Sequence, residues 1–233
     1  MTHAGGATRS SGPSRRRRRR SGALAVIGLV LLLAGLGCLG YVGYQVWGTN
    51  VSAHKTYDNE RTKLKQVWSS PTPSTKSTEK DSDRNAVPGD AIGLISIPAI
   101  GVDQVPILQG VGLDVLARGV GHYPSTVGPG QVGNFALAGH RITHGQPFAN
   151  LLELNTGDKI IIETRTTIYT YQVDQAPKSL TVEDTAGWVL DPVPGHPAEQ
   201  PSKKLITLTT CQDLFHSPDR SVGFGHLVST KAK

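Results

Sequence analysis

Residues 21–47, SGALAVIGLVLLLAGLGCLGYVGYQVW, contain no charged side chain. About 20 apolar residues suffice to cross a bilayer as a helix, so this stretch constrains the chain before any other. It is longer than the apolar region of a cleaved signal peptide. It also closes with Tyr41, Tyr44 and Trp47, residue types favoured at the membrane interface. The expectation is a retained transmembrane anchor. Six consecutive arginines, Arg15 to Arg20, precede it, and the positive-inside rule assigns such a cluster to the cytoplasmic face, with everything after Trp47 outside. The same cluster accounts for the formal net charge of +6. The remainder is close to neutral, and a nucleic-acid-binding function is set aside.

Composition then divides the rest of the chain. Residues 1–20 read as a disordered cytoplasmic tail rich in Gly, Ser, Thr and Arg, and residues 21–47 as the anchor. Residues 48–87 read as an extracellular stalk without a core: a short polar helix over VSAHKTYDNERTKLKQVW, then the linker SSPTPSTKSTEKDSDRNAVPGD. Residues 88–233 are left as the folded catalytic unit, a normal domain size. Within that unit the patterns are mostly those of strands. IGLISIP alternates and stops at Pro98, GNFALAGH is short and apolar, GDKIIIETRTTIYTYQVD reads as two strands around a polar turn, and KLITLTTC is a further strand. Helical signals are brief, GLDVLAR and PFANLLEL, the latter with Pro147 suited to a first turn. Short, closely spaced strands with few helices predict a mainly β fold, a closed or nearly closed barrel.

The chain has two cysteines. Cys38 lies in the apolar span and Cys211 in the exported part, so a bond between them is not expected, and Cys211 reads as an unpaired exported thiol. It ends the strand ITLTTC where the composition turns polar. Taken alone, such a cysteine is either a small core residue or a nucleophile. A nucleophilic thiol needs a proton partner and a group that stabilises an oxyanion. Of the eight histidines, His140 has the most suggestive setting, since it follows the strand NFALAG and a glycine. His144 lies in the loop beyond. Arg220, nine positions after Cys211, precedes the closing strand VGFGHLV and is the candidate third party.

Taken in order, NFALAGHR, ITLTTC and the arginine nine positions on resemble the sortases, membrane-bound cysteine transpeptidases of Gram-positive cell surfaces. GHYPSTVGPGQVGNFALAGHRITHGQPF, with the Cys211-to-Arg220 spacing, is similar to the class E enzymes of actinobacteria. The chain departs from that class at Gln212 and Asp213, where a His-Pro or Asn-Pro pair is the family pattern. The resemblance implies an eight-stranded sortase-like barrel with Cys211 as nucleophile, His140 as acid and base, and Arg220 holding the oxyanion or the substrate backbone. It also implies the reaction: cleavage of a C-terminal sorting signal of LAXTG or LPXTG type between Thr and Gly, through a thioacyl-enzyme, and transfer to a peptidoglycan precursor amine. Tyr123 enters by the same resemblance as a contact for the signal's second position. Thr210, beside the cysteine, and Trp188, Val189 and Leu190, in the proline-rich loop EDTAGWVLDPVPGHPAEQP, are further candidate substrate contacts; the loop residues equally suit closing a hydrophobic core. No dense carboxylate cluster stands out, and neither a metal nor a cofactor is expected.

Two other classes compete. Papain-like wall hydrolases put the cysteine before the histidine at a helix start, and L,D-transpeptidases carry a His-Gly-Cys cluster with an arginine two positions on; this chain has neither order. A non-catalytic membrane-anchored binding module with a buried, inert Cys211 is the third reading.

Overall fold

A computed structural model describes residues 16–70, 89–211 and 218–233 of the chain. The chain forms two compact units, residues 1–44 and 45–233. The first contains helix α1, Arg16–Gly43, whose apolar part Gly22–Gly43 is exposed along its whole length and is long and apolar enough to cross a membrane. One π-helical turn, Tyr44–Gly48, follows, and then helix α2, Thr49–Ser69.

Among its described residues the second unit has nine strands: β1 Ala91–Ile97, β2 Val102–Gln109, β3 Val120–His122, β4 Gly133–Ala138, β5 Lys159–Glu163, β6 Thr167–Gln175, β7 Thr181–Glu183, β8 Lys204–Cys211 and β9 Asp219–Ala232. Eight of them close on themselves in the order β6-β5-β1-β2-β3-β4-β8-β9, because β9 also pairs with β6. β9 is the longest strand, and its first residues additionally take β7 as an edge partner. Two junctions in the ring, β2 with β3 and β4 with β8, are parallel. The fold is therefore a closed, mainly β, eight-stranded barrel. One helical turn, α3 Leu113–Leu116, marks the GLDVLAR signal.

Strand alternation fills the interior. Ile95 and Ile97, Phe135 and Leu137, Ile160 and Ile162, Tyr171 and Val173, and Ile206 and Leu208 all enter one core at spacing two. Removing each such side chain from water contributes about 1.5–3 kcal/mol. The strand expectations hold, including the two strands around a polar turn, now β5 and β6.

Two expectations are corrected. The helix over PFANLLEL is reduced to a 3-10 turn, Leu151–Glu153. Its buried side chains, Phe148, Leu151 and Leu154, recur every three residues, and the backbone bonds are of i to i+3 type, as in Leu151 N–H to Phe148 C=O and Leu154 N–H to Leu151 C=O. Three residues per turn brings that row to the core, whereas an α-helix would rotate it away. The second correction concerns the coreless stalk. Helix α2 buries Asn50, Ala53, Tyr57 and Leu64, and Ala53 and Tyr57 join the barrel's own hydrophobic cluster. Glu60 on the same face pairs with Arg118 at 3.3 Å, and Lys65 donates to Gln104 Oε1 at 2.7 Å. The folded unit thus takes in α2. Most of the proline-rich linker lies outside the described residues.

A buried polar pair at the end of β3 sets a pH dependence. His122 is 2 % exposed, with Nδ1 at 2.8 Å from Gln109 Oε1 and Nε2 at 3.1 Å from the Val127 carbonyl. Burial lowers its pKa to about 4, against the opposing pull of the Val127 carbonyl. Unfolded chain, titrating at ~6.5, then binds more protons than folded chain between those two values. Stability should fall as pH drops from about 6.5 to about 4, with His122 contributing on the order of 3 kcal/mol. Urea unfolding at pH 7.5 and pH 4.5 checks this, and the difference between the two should shrink in His122→Asn. An undiminished difference would assign the acid sensitivity elsewhere.

Candidate active site

β4 and β8 run parallel, with Ala138 opposite Thr209 as the last registered pair. Gly139 N–H still reaches the Thr209 carbonyl at 3.2 Å. Two residues beyond that pair lie His140 on one strand's exit and Cys211 on the other's. Across the opposite, antiparallel junction, Cys211 pairs directly with Arg220 of β9. Three adjacent strands therefore deliver the cysteine, the histidine and the arginine to one end of the barrel. Arg220 does not precede the closing strand, as the sequence suggested; it belongs to it.

Local chemistry fixes the His140 exit. A Cβ at Gly139 would stand 2.6 Å from the Phe148 ring, so only glycine lets β4 leave the barrel this close to Phe148. The Phe148 N–H returns to the His140 carbonyl at 3.0 Å. The His140 ring stacks on His144, with centroids 5.0 Å apart and planes 28° apart. Its Nε2 is buried and has no hydrogen-bond partner among the described residues. Burial, and secondarily the like charge of His144, lower its pKa to about 4. The imidazole is consequently neutral at pH 7 and can accept a proton.

Arg220 is fixed by partners the sequence did not suggest. Nη1 donates to the Asp219 carbonyl at 3.1 Å, and Nη2 lies 3.6 Å from Asp184 Oδ2, just beyond β7. β7 sits on β9 with Val182 opposite Arg220, which brings the Asp184 carboxylate alongside the guanidinium. In the sequence Asp184 is one acid in a polar loop; only the β7–β9 pairing gives it a partner.

The candidate substrate contacts separate into two groups. Tyr123 reaches the strand that carries Cys211, its hydroxyl 3.3 Å from Thr209 Oγ1. Thr210 is buried and donates its hydroxyl to the Gly139 carbonyl at 2.9 Å, so it ties the two strand exits together. Val189 is buried too, and its carbonyl accepts from Asn134 Nδ2 at 3.0 Å and Thr207 Oγ1 at 3.3 Å. Of the loop trio, Trp188 is 38 % exposed and leans on Phe224 at 6.1 Å, while Leu190 is half-buried. Phe224 pairs with Thr207, so the trio sits beside β8 four residues before the cysteine. Gln212 and Asp213, where the chain departs from the class E pattern, lie outside the described residues.

This arrangement of a cysteine, a histidine and an arginine at one end of a closed eight-stranded barrel is that of a sortase, and the chain belongs to the sortase family of cysteine transpeptidases: the family model for the sortase domain matches residues 95–228. Within the family it is class E-like. It is 34 % identical over 228 residues to Sortase SrtE1 of Streptomyces coelicolor, a match covering 93 % of this chain and 62 % of that protein's length. Identity to Sortase SrtE2 of the same organism is 31 % over 235 residues, covering 95 % of this chain and 90 % of the relative. The solved structure of sortase E from Streptomyces avermitilis superposes with a TM-score of 0.56 at 37 % identity, covering 63 % of this chain and 93 % of that one.

The electrostatics of His140 can be tested directly. In a Cys211→Ala background its imidazole should titrate by NMR near pH 4, because burial dominates the shift. Adding His144→Ala should move that midpoint upward while leaving it below ~6.5, since the like charge is the smaller cause. A midpoint that does not move would mean that the stacked ring has no electrostatic influence.

Proposed function

We propose that this protein is a membrane-anchored sortase that cleaves a C-terminal sorting signal of LAXTG or LPXTG type between Thr and Gly and transfers the carrier protein to a peptidoglycan precursor amine. The observation that carries the reading is the convergence of His140, Cys211 and Arg220 on three neighbouring strand ends. Neutral His140 takes the proton of the Cys211 thiol as sulfur attacks the threonine carbonyl carbon. The oxyanion so formed is stabilised by Arg220 and backbone N–H groups. When the tetrahedral intermediate collapses, the C–N bond breaks and His140 returns the proton to the departing glycine amine. The acceptor amine then attacks the thioester and gives its proton to His140; Cys211 leaves as thiolate and recovers that proton.

Substrate recognition follows the outer row of β8. An extended peptide rises ~3.3 Å per residue, so a leucine three residues before the scissile threonine lies roughly 10 Å from the cysteine. Trp188, exposed beside the Thr207–Phe224 pair, suits that leucine, with Leu190 beside it and buried Val189 holding their loop. Tyr123, next to Thr209, suits the second position. Thr210 contributes to binding by fixing the strand exits. Outside the barrel, the apolar helix Gly22–Gly43 spans the membrane with the Arg15–Arg20 cluster on the cytoplasmic side, which leaves the barrel outside the cell. The partners are then secreted proteins bearing sorting signals and the peptidoglycan precursor.

Arg220→Lys separates geometry from charge. A guanidinium offers a planar fork of donors, and an ammonium is a point charge. Removing one oxyanion donor costs roughly 10²–10³ in turnover. Arg220→Lys should lose on the order of that factor in Thr–Gly cleavage, with Cys211 alkylation by a small reagent little changed. Near-parental turnover would reduce Arg220 to a surface charge.

A further inference from the structure

The loop after His140 adopts a conformation that needs outside support. His144, Gly145 and Gln146 have successive φ values of 54°, 81° and 49°, a left-handed run in which two of the three residues are not glycine. L-residues with side chains avoid that region, and a run of three has little local means of persisting. The support comes from α2. Tyr57 donates its hydroxyl to the His144 carbonyl at 2.6 Å. Asn50 works in both directions, accepting from Gly145 N–H at 2.8 Å and donating Nδ2 to the Ile142 carbonyl at 3.3 Å. The approach is close enough that a Cβ at Gly145 would stand 2.7 Å from the Tyr57 oxygen. Asn50 and Tyr57 are both buried in this contact, and burial keeps the Tyr57 phenol protonated and able to donate. At the other side of the loop, the His144 ring lies against His140.

We propose that α2 is a working part of the active site: Asn50 and Tyr57 are positioning residues that hold the 142–146 turn so that His144 stays stacked on His140 and fixes the orientation of its imidazole. This rests on the reading of His140 as the proton carrier. It assigns a catalytic consequence to a helix outside residues 95–228, the matched family domain. It also revises the reading of residues 88–233 as the catalytic unit, since a barrel without α2 keeps His140 but loses the partners of the turn beside it.

The test uses the full chain in detergent micelles with a sorting-signal peptide, and active sites counted by Cys211 alkylation. A displacement of about 1 Å at a catalytic group can cost ~10²-fold in rate. Asn50→Ala with Tyr57→Phe should therefore lower kcat per active site by roughly tenfold to a hundredfold while peptide KM changes by less than about twofold. Asn50→Asp, which keeps the acceptor for Gly145 N–H, should retain more activity than Asn50→Ala. The acidic limb of the kcat/KM profile should move to higher pH in the double variant as the His144 stack loosens. Lys55→Ala, on the exposed face of α2, should match the parent. Tyr57→Phe alone removes one oxygen and carries the test if the double variant folds poorly. Parental kcat per active site with an unmoved pH profile would overturn the proposal. His140→Ala is run in parallel: if it turns over normally, the proton-carrier reading fails, whereas an inactive His140→Ala beside a fully active double variant refutes the role of α2 alone.

Discussion

The parallel pairing of β4 with β8 is the constraint on which the rest of the site depends. Parallel neighbours end at the same side of a sheet, and a shared register means that residues equally far beyond the last pair lie at one level. Ala138 opposite Thr209 is that last pair, and it puts His140 and Cys211 on adjoining exits. The supporting bonds act on the same joint. Thr210 ties β8 to the Gly139 carbonyl, and Gly139 N–H ties β4 to the Thr209 carbonyl. A slip of one residue would turn the core rows Phe135–Leu137 and Ile206–Leu208 outward, so the hydrophobic interior itself enforces the register that aligns His140 with Cys211.

Charge is distributed to match. Burial lowers the His140 pKa to about 4, so the imidazole is neutral at pH 7. Arg220 lies beside Asp184, at a site only partly exposed. In the proposed mechanism nucleophile activation falls to His140 and oxyanion stabilisation to Arg220, each held on its own side of β8.

Much of this was legible in the sequence, and the parts that were not share a cause. Alternation exposed the strands, and the glycine before His140 together with the change to polar composition after Cys211 marked two strand exits. Arg220 was named as a candidate but set before the closing strand, because register, which is not a local property, is what brings it opposite Cys211. Asp184 stayed hidden for the same reason. The α2 contribution was readable and was missed. Asn50, Ala53, Tyr57, Glu60 and Leu64 recur at intervals of three and four, the stripe of a helix packed on one face. Its polar members, and a proline-rich stretch downstream, gave the segment the composition of a stalk. The 3-10 turn at Leu151–Glu153 was misread because buried residues every three positions fit part of a helical template.

The central claim is that the strand ends assemble a cysteine transpeptidase in which Cys211 carries the acyl group. Intact mass measurement during turnover of a sorting-signal peptide, with a competing amine added in steps, tests it most directly. The account predicts a thioacyl adduct on Cys211 whose occupancy falls as amine is raised, with the amide product increasing while release of the glycine-terminated fragment continues. Product formed with no adduct on Cys211, or undiminished in Cys211→Ala, would contradict it.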